Sequence, residues 1–254
     1  MNAIFAIARR ETSAYFASPI GWISLCGFVL ISGFFFILML LGYAMQAEQA
    51  YGGQLDQMNM NDWIVQPLFG NLGVIALLVM PALTMRLFAE DRQQKSLELL
   101  LTSPVSSFEI VIGKFLGALG FAGVMVASTL QFPILLNWLG EPDVGVLAAN
   151  YLGFVLLLAA YVAIGLFASS LTENQLIALI IAFSFNMLTW IVGWVGQVAG
   201  DGKVKSTVEY ISMLHHLEGL GKGVVHAGDI FYFLTFIAFF LFAATQRVEA
   251  LRWR

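Results

Sequence analysis

Residues 20–45 read IGWISLCGFVLISGFFFILMLLGYAM, without one Asp, Glu, Lys or Arg. A helix rising about 1.5 Å per residue needs ~20 mostly apolar residues to cross the hydrocarbon core of a bilayer. Water is absent there, so each backbone N–H and C=O must be satisfied within the segment, and a helix does this. The stretch therefore predicts a membrane-crossing helix. Working outward, further charge-free intervals occupy 63–85, 115–140, 144–172, 174–200 and 230–246, while the first extends over 12–47. They predict an all-α integral membrane protein, one domain over 1–254, with six transmembrane helices at 20–45, 64–88, 108–137, 147–169, 176–198 and 231–244. Composition agrees: 11% of residues are charged, against roughly 25% in soluble domains.

Lysine and arginine set the expected orientation. With the N-terminus inside, the inner segments hold Arg9, Arg10, Arg86, Arg92, Lys95, Lys114, Arg247, Arg252 and Arg254, and the outer ones only Lys203, Lys205 and Lys222. Basic residues favour the cytoplasmic side, so both termini are expected in the cytoplasm. Trp22, Trp63, Trp138 and Trp194 fall near predicted span ends, where indole rings favour the headgroup layer. The single cysteine, Cys26, excludes an intrachain disulfide or a CxxC site. Arg9 and Arg10 precede an apolar run much longer than a signal-peptide core, which reads as a retained anchor. The formal charge of -4 is spread over short connectors, so no nucleic-acid partner is expected.

Three segments are more than connectors. In residues 1–19, Met1, Ile4, Phe5, Ala8, Thr12, Tyr15 and Phe16 share one helical side, while Asn2, Arg9, Arg10 and Ser13 share the other. This predicts a helix lying along the inner leaflet, with Arg9, Arg10, Tyr15 and Phe16 as its interfacial residues and Pro19 ending it. Residues 89–104 carry Glu90 and Asp91 where a helix would start, then a Leu97, Leu100, Leu101 stripe, then Pro104. An apolar stripe in an aqueous loop needs a cover, either a soluble partner or the protein's own inner helix ends. Residues 199–229 place Tyr210, Ile211, Leu214, Leu217, Leu220, Val224 and Val225 at roughly helical spacing, interrupted by glycines, and predict short outer re-entrant helices covered by protein. His215, His216, Glu218 and Lys222 are the polar candidates there. Adjacent histidines point apart on a helix and no Cys or tight carboxylate cluster joins them, so no metal site is expected.

Catalytic signatures are lacking. A phosphate-binding loop needs G-x-x-x-x-G-K-[ST]; Gly113-Lys114 is followed by Phe115 and preceded by Phe108 at the first glycine position, and Gly221-Lys222 fails likewise. There is no HExxH and no GxSxG. Ser128, Thr129, Gln131, Asn186 and Thr189 inside the spans are uncharged and suit hydrogen bonds between helices rather than an ion or proton path.

The segments RRETSAYFASP (9–19), ELLLTSPVSSFEIVIGK (98–114) and HHLEGLGKGVVHAGDIFYFL (215–234) resemble the ABC-2 type permeases, the membrane halves of ABC exporters. The chain is most similar to the gliding-motility-associated permeases and is also similar to the permease of nitrous oxide reductase maturation. The resemblance implies the six-helix type V exporter fold, a homodimer with spans two and five at its seam, and a separate ABC ATPase holding ATP and Mg, with no cofactor in this chain. It places Glu90, Asp91, Leu97, Glu98, Leu99, Leu100 and Leu101 at the ATPase contact, as a coupling helix. Members commonly have Gly-Thr ahead of the ELLL run, where this chain has Lys95 and Ser96. An accessory membrane protein with a large outer domain is a further implied partner, alongside the lipid bilayer. Two other functions fit the sequence: a non-transporting anchor of an ATP-driven envelope machine, and an integral-membrane enzyme built around His215, His216, Glu218 and Asp229.

The topology is tested by cysteine labelling after Cys26 is replaced. Gly202→Cys should react with an impermeant reagent in intact cells and Gln93→Cys should not; the opposite pattern inverts the orientation.

Overall fold

The computed structural model describes residues 2–49, 59–96, 100, 104–140, 142–198, 208 and 210–252. Every regular element among them is helical. Helices α1 (Asn2–Ala17) and α2 (Pro19–Gln49) are followed by a π-helical turn (Asn61–Val65) that runs into α3 (Gln66–Thr84) and α4 (Arg86–Gln93). Then come α5 (Ser107–Thr129), α6 (Gln131–Leu139), α7 (Val144–Leu171), α8 (Gln175–Val198), α9 (Met213–Gly221) and α10 (Ala227–Arg252). Six segments are long and apolar enough to cross a membrane: Pro19–Glu48, Asn61–Gln93, Ser107–Leu139, Val144–Leu171, Gln175–Trp194 and Ala227–Arg252.

Helix α7 is the axis of the bundle. Its sequence is apolar on every side and rich in Ala, Gly and Ser, the pattern of a helix surrounded by others. It contacts α3, α4, α5, α8, α9 and α10. Within its most apolar window 78% of residues are buried, against 17% for α2, which leaves Leu30, Phe34, Ile37 and Leu41 facing outward as lipid-exposed surface.

Two of the six crossings are broken, and α7 repairs both. At the α3–α4 junction the regular helix stops at Thr84 and resumes at Arg86, so the backbone around Met85 loses part of its hydrogen-bond ladder. The Ser169 hydroxyl of α7 stands in the gap instead, accepting from Phe88 N at 2.9 Å and Ala89 N at 3.0 Å and donating to Met85 O at 2.8 Å. At the α5–α6 junction Pro133 has no N–H, so the Thr129 carbonyl four residues earlier loses its donor. The hydroxyl of Tyr151, also on α7, donates to it at 2.9 Å. An unsatisfied carbonyl in hydrocarbon costs several kcal/mol, so these two side chains make the breaks tolerable.

Helix α1 is set into a groove of glycines. Gly113, Gly117 and Gly120 recur along one face of α5, and a Cβ on Gly117 would lie 2.5 Å from Glu11 Cβ and 2.9 Å from the Ala8 carbonyl oxygen. Thr12 Oγ1 lies 2.9 Å from Ala8 O and 3.0 Å from Gly117 O, so one hydroxyl serves both helices. Tyr15, on the expected lipid side of α1, is wholly buried in the protein, so α1 packs along the bundle rather than resting on it. Capping closes other ends: Ser106 and Glu109 form a reciprocal box at the start of α5, and Asp143 Oδ1 accepts from Gly145 N at the start of α7.

Gly117→Leu should therefore push α1 off α5 and cost roughly 1–3 kcal/mol, the usual penalty of overpacking. Gly123→Leu, at a position with open space, should be close to neutral. Thermal unfolding of the two purified variants in detergent checks the contrast, and equal stability would refute the groove.

Candidate functional site

Helices α1, α4 and α5 converge at one end of the bundle around a lysine. The sequence places Lys114 among the connector charges. In the structure it lies seven residues beyond Ser107, on the α5 face that packs against α1, with its side chain 1% exposed. Its Nζ is 2.8 Å from Glu11 Oε1 of α1 and 2.6 Å from Asp91 Oδ2 of α4. Arg10 closes the cluster from the more exposed side, 3.1 Å from the same Glu11 oxygen and 3.6 Å from Asp91 Oδ2. Two cations and two anions thus alternate with no net charge. Burying an unpaired ammonium is costly, and here two carboxylates and the Phe88 ring, 5.3 Å from Nζ, replace its water.

The rest of α4 is held as firmly. Arg92 donates to Glu173 Oε1 at 2.7 Å and to the Ser170 carbonyl at 3.4 Å. Ser96 Oγ donates to Asp91 Oδ1 at 2.8 Å. Lys95 adopts φ +57°, the left-handed conformation that glycine takes without steric cost, at the position where the resembling family commonly has glycine. The backbone turn is thus of the glycine type although the residue is not. Tyr15 donates its hydroxyl to the Leu83 carbonyl at 3.0 Å, just before the α3–α4 break, and the Arg86 guanidinium lies 4.3 Å above its ring. Burial raises the pKa of the Tyr15 hydroxyl well above the usual tyrosine value, so it remains a donor.

The expected site residues separate accordingly. Arg10 and Tyr15 belong to the α1–α4–α5 junction, Phe16 packs edge-on against Trp22 and Phe121, and Arg9 stays exposed. Asp91 is drawn into the cluster, while Glu90 bonds Gln94 Nε2 at 3.2 Å on the exposed side. Leu97, Glu98, Leu99 and Leu101 lie outside the described residues. Leu100 is half-buried against the chain's own hydrophobic core.

At the opposite end, α9 is capped by Ser212 and packs on α7, α8 and α10. His216 Nδ1 is 2.7 Å from Asp229 Oδ1, its Nε2 is 3.1 Å from the Tyr210 carbonyl, and its ring stacks on Tyr232 at 4.2 Å. His215 is exposed and Lys222 ends the helix. Glu218 borders a cavity of about 350 Å³ with Gln66, Asn71, Asn150 and Trp190. Residues 199–207 and 209 of this segment lie outside the described residues. Among the described residues no three metal-ligating side chains converge.

Sequence reasoning overlooked Glu11 and the interior position of Lys114. The available signal was a lone lysine in FEIVIGKFLGALGF, apolar on both sides, which calls for a buried carboxylate partner.

The described residues thus form a six-crossing helical bundle with a broken second crossing and a buried charge junction at one end. The chain belongs to the ABC-2 family of transporter proteins, whose family profile, described as "ABC-2 family transporter protein", matches residues 5–246. It is similar to the "Probable multidrug ABC transporter permease YbhR" of Escherichia coli K12, with 29% identity over 168 residues, 64% of this chain and 43% of that relative. The protein of the same name from Escherichia coli O157:H7 gives the same figures. The chain thus spans less than half the length of these relatives.

Lys114→Met should destabilise the fold by about 3 kcal/mol, because it strands two buried carboxylates. Adding Glu11→Gln and Asp91→Asn should recover much of that loss by removing the stranded charges. Chemical or thermal unfolding of the single and triple variants decides, and a triple variant no better than the single would deny that charge balance governs the junction.

Proposed function

We propose that this chain is the permease subunit of an ABC-2 transporter, working as a homodimer with a separate ABC ATPase seated beneath residues 89–104 on the cytoplasmic side. The observation that carries the reading is the attachment of α4. Asp91 binds it to α1 and α5 through Lys114, Arg92 binds it to the end of α7, and Ser169 bridges its break from α3. A push on the segment after α4 is thereby delivered to three helices at once, as coupling demands. ATP and Mg belong to the partner, since this sequence offers no phosphate-binding loop.

Outward apolar residues of α8, among them Leu176, Ile180 and Leu188, are the surface offered to a second copy. Likeness to the gliding-motility permeases extends the reading to an accessory membrane protein with an outer domain. In this scheme transport is a two-state shift that the ATPase biases, with both chain termini cytoplasmic in a bacterial inner membrane.

Two measurements test the assignment. The purified chain should release no phosphate from ATP, and hydrolysis should depend on the co-expressed ATPase. Cysteines at Gln93 and Gln94, exposed on and just after α4, should crosslink to that ATPase, whereas one at Val225 should not. Hydrolysis by the lone chain, or crosslinks confined to Val225, would overturn it.

A further inference from the structure

The two adjacent arginines of α1 have different fates. Arg10 is committed to Glu11 and Asp91, whereas Arg9 makes no ion pair among the described residues. It borders a groove of about 590 Å³ between α1 and α5, floored by Ile4, Phe5 and Leu116, with Ser13 one helical turn further on. The groove faces away from the bundle, since Phe5 is 72% and Leu116 43% exposed, and Leu116 sits on a membrane-crossing helix. Bilayer lipid must therefore cover its floor.

At its rim, a guanidinium and a hydroxyl on the same helical face are the donors that suit a phosphate, which arginine binds through two parallel N–H groups. No Asp or Glu lines the groove. Glu11, the nearest acid in sequence, turns the other way towards Lys114. The site therefore has a partner for a phosphate and none for the ammonium of a zwitterionic headgroup.

We infer that the groove between α1 and α5 binds an anionic phospholipid, with Arg9 and Ser13 on its phosphate and an acyl chain over Ile4, Phe5 and Leu116. The consequence for the protein follows from the shared helix. The lipid presses α1 against α5, and α1 supplies the Glu11 that balances Lys114, so an anionic leaflet stabilises the charge junction from outside.

Native mass spectrometry of the purified chain, titrated with phosphatidylglycerol and phosphatidylcholine of identical acyl chains, tests this. Wild type should prefer phosphatidylglycerol by about fivefold, the equivalent of ~1 kcal/mol for one basic residue at an anionic surface. Arg9→Gln and, independently, Ser13→Asp should abolish the preference, and Arg252→Gln, an exposed arginine at the end of α10, should retain it. Preference surviving in both groove variants would overturn the site. Full competition by millimolar inorganic phosphate would overturn it as well, since it would mark a site for a free anion. Because the ATPase is absent from the measurement, its outcome is independent of the coupling assignment.

Discussion

The ammonium of Lys114 has been taken out of water, and much of this end of the molecule is arranged to compensate it. Neither carboxylate it needs comes from its own helix. Glu11 arrives on α1 and Asp91 on α4, so three separate helices must meet at one point. A buried ion pair is weak evidence for net stability, because desolvation offsets most of the attraction. Its value here is specificity: any arrangement that separates α1, α4 and α5 leaves a charge unpaired in a poorly polar environment. The glycine face of α5 makes the meeting possible by letting the α1 backbone come close enough for Glu11 to reach.

A second constraint acts along the whole bundle. Lipid supplies no hydrogen bonds, so a helix that breaks inside the membrane must find partners in its neighbours. Ser169 and Tyr151 both lie on α7, which explains why the most buried helix also carries the polar groups that matter. The breaks in turn create separate rigid pieces, α4 and α6, at opposite ends of their crossings. Helix α4 is anchored by ionic contacts rather than by apolar burial alone, and such contacts can exchange partners when a helix is pushed. This is the physical basis of the proposal that α4 takes part in coupling.

The far end of the bundle shows the same economy with different chemistry. His216 joins α9 to the start of α10 through Asp229, while both its ring nitrogens face oxygen atoms and Tyr232 covers its ring. The histidines that invited a metal reading are thus divided between an inter-helix contact and the exposed His215. The cavity beside Glu218 lies under this helix and opens next to α3 and α8, the crossings expected at the subunit seam.

Much of the architecture was legible in the chain alone. Charge-free intervals announce the six crossings because hydrocarbon excludes ionised groups, and apolar periodicity announces α1 because its faces meet different media. The carrier of the junction was half visible, as Asp91 in the segment expected on the cytoplasmic side and Arg10 on α1. What the tertiary structure alone decided is which charges are neighbours. Glu11 and Lys114 stand 103 residues apart, and although the apolar flanks of Lys114 call for a carboxylate partner, nothing local to either residue says that Glu11 is that partner. Likewise Ser169 reads as one more small residue in α7 until the broken backbone at Met85 lies beside it. Hydropathy is a property of single residues and their spacing along one helix, so it survives in the sequence. Compensation of a buried charge or an orphaned carbonyl depends on which helices pack together, and only the folded bundle contains that information.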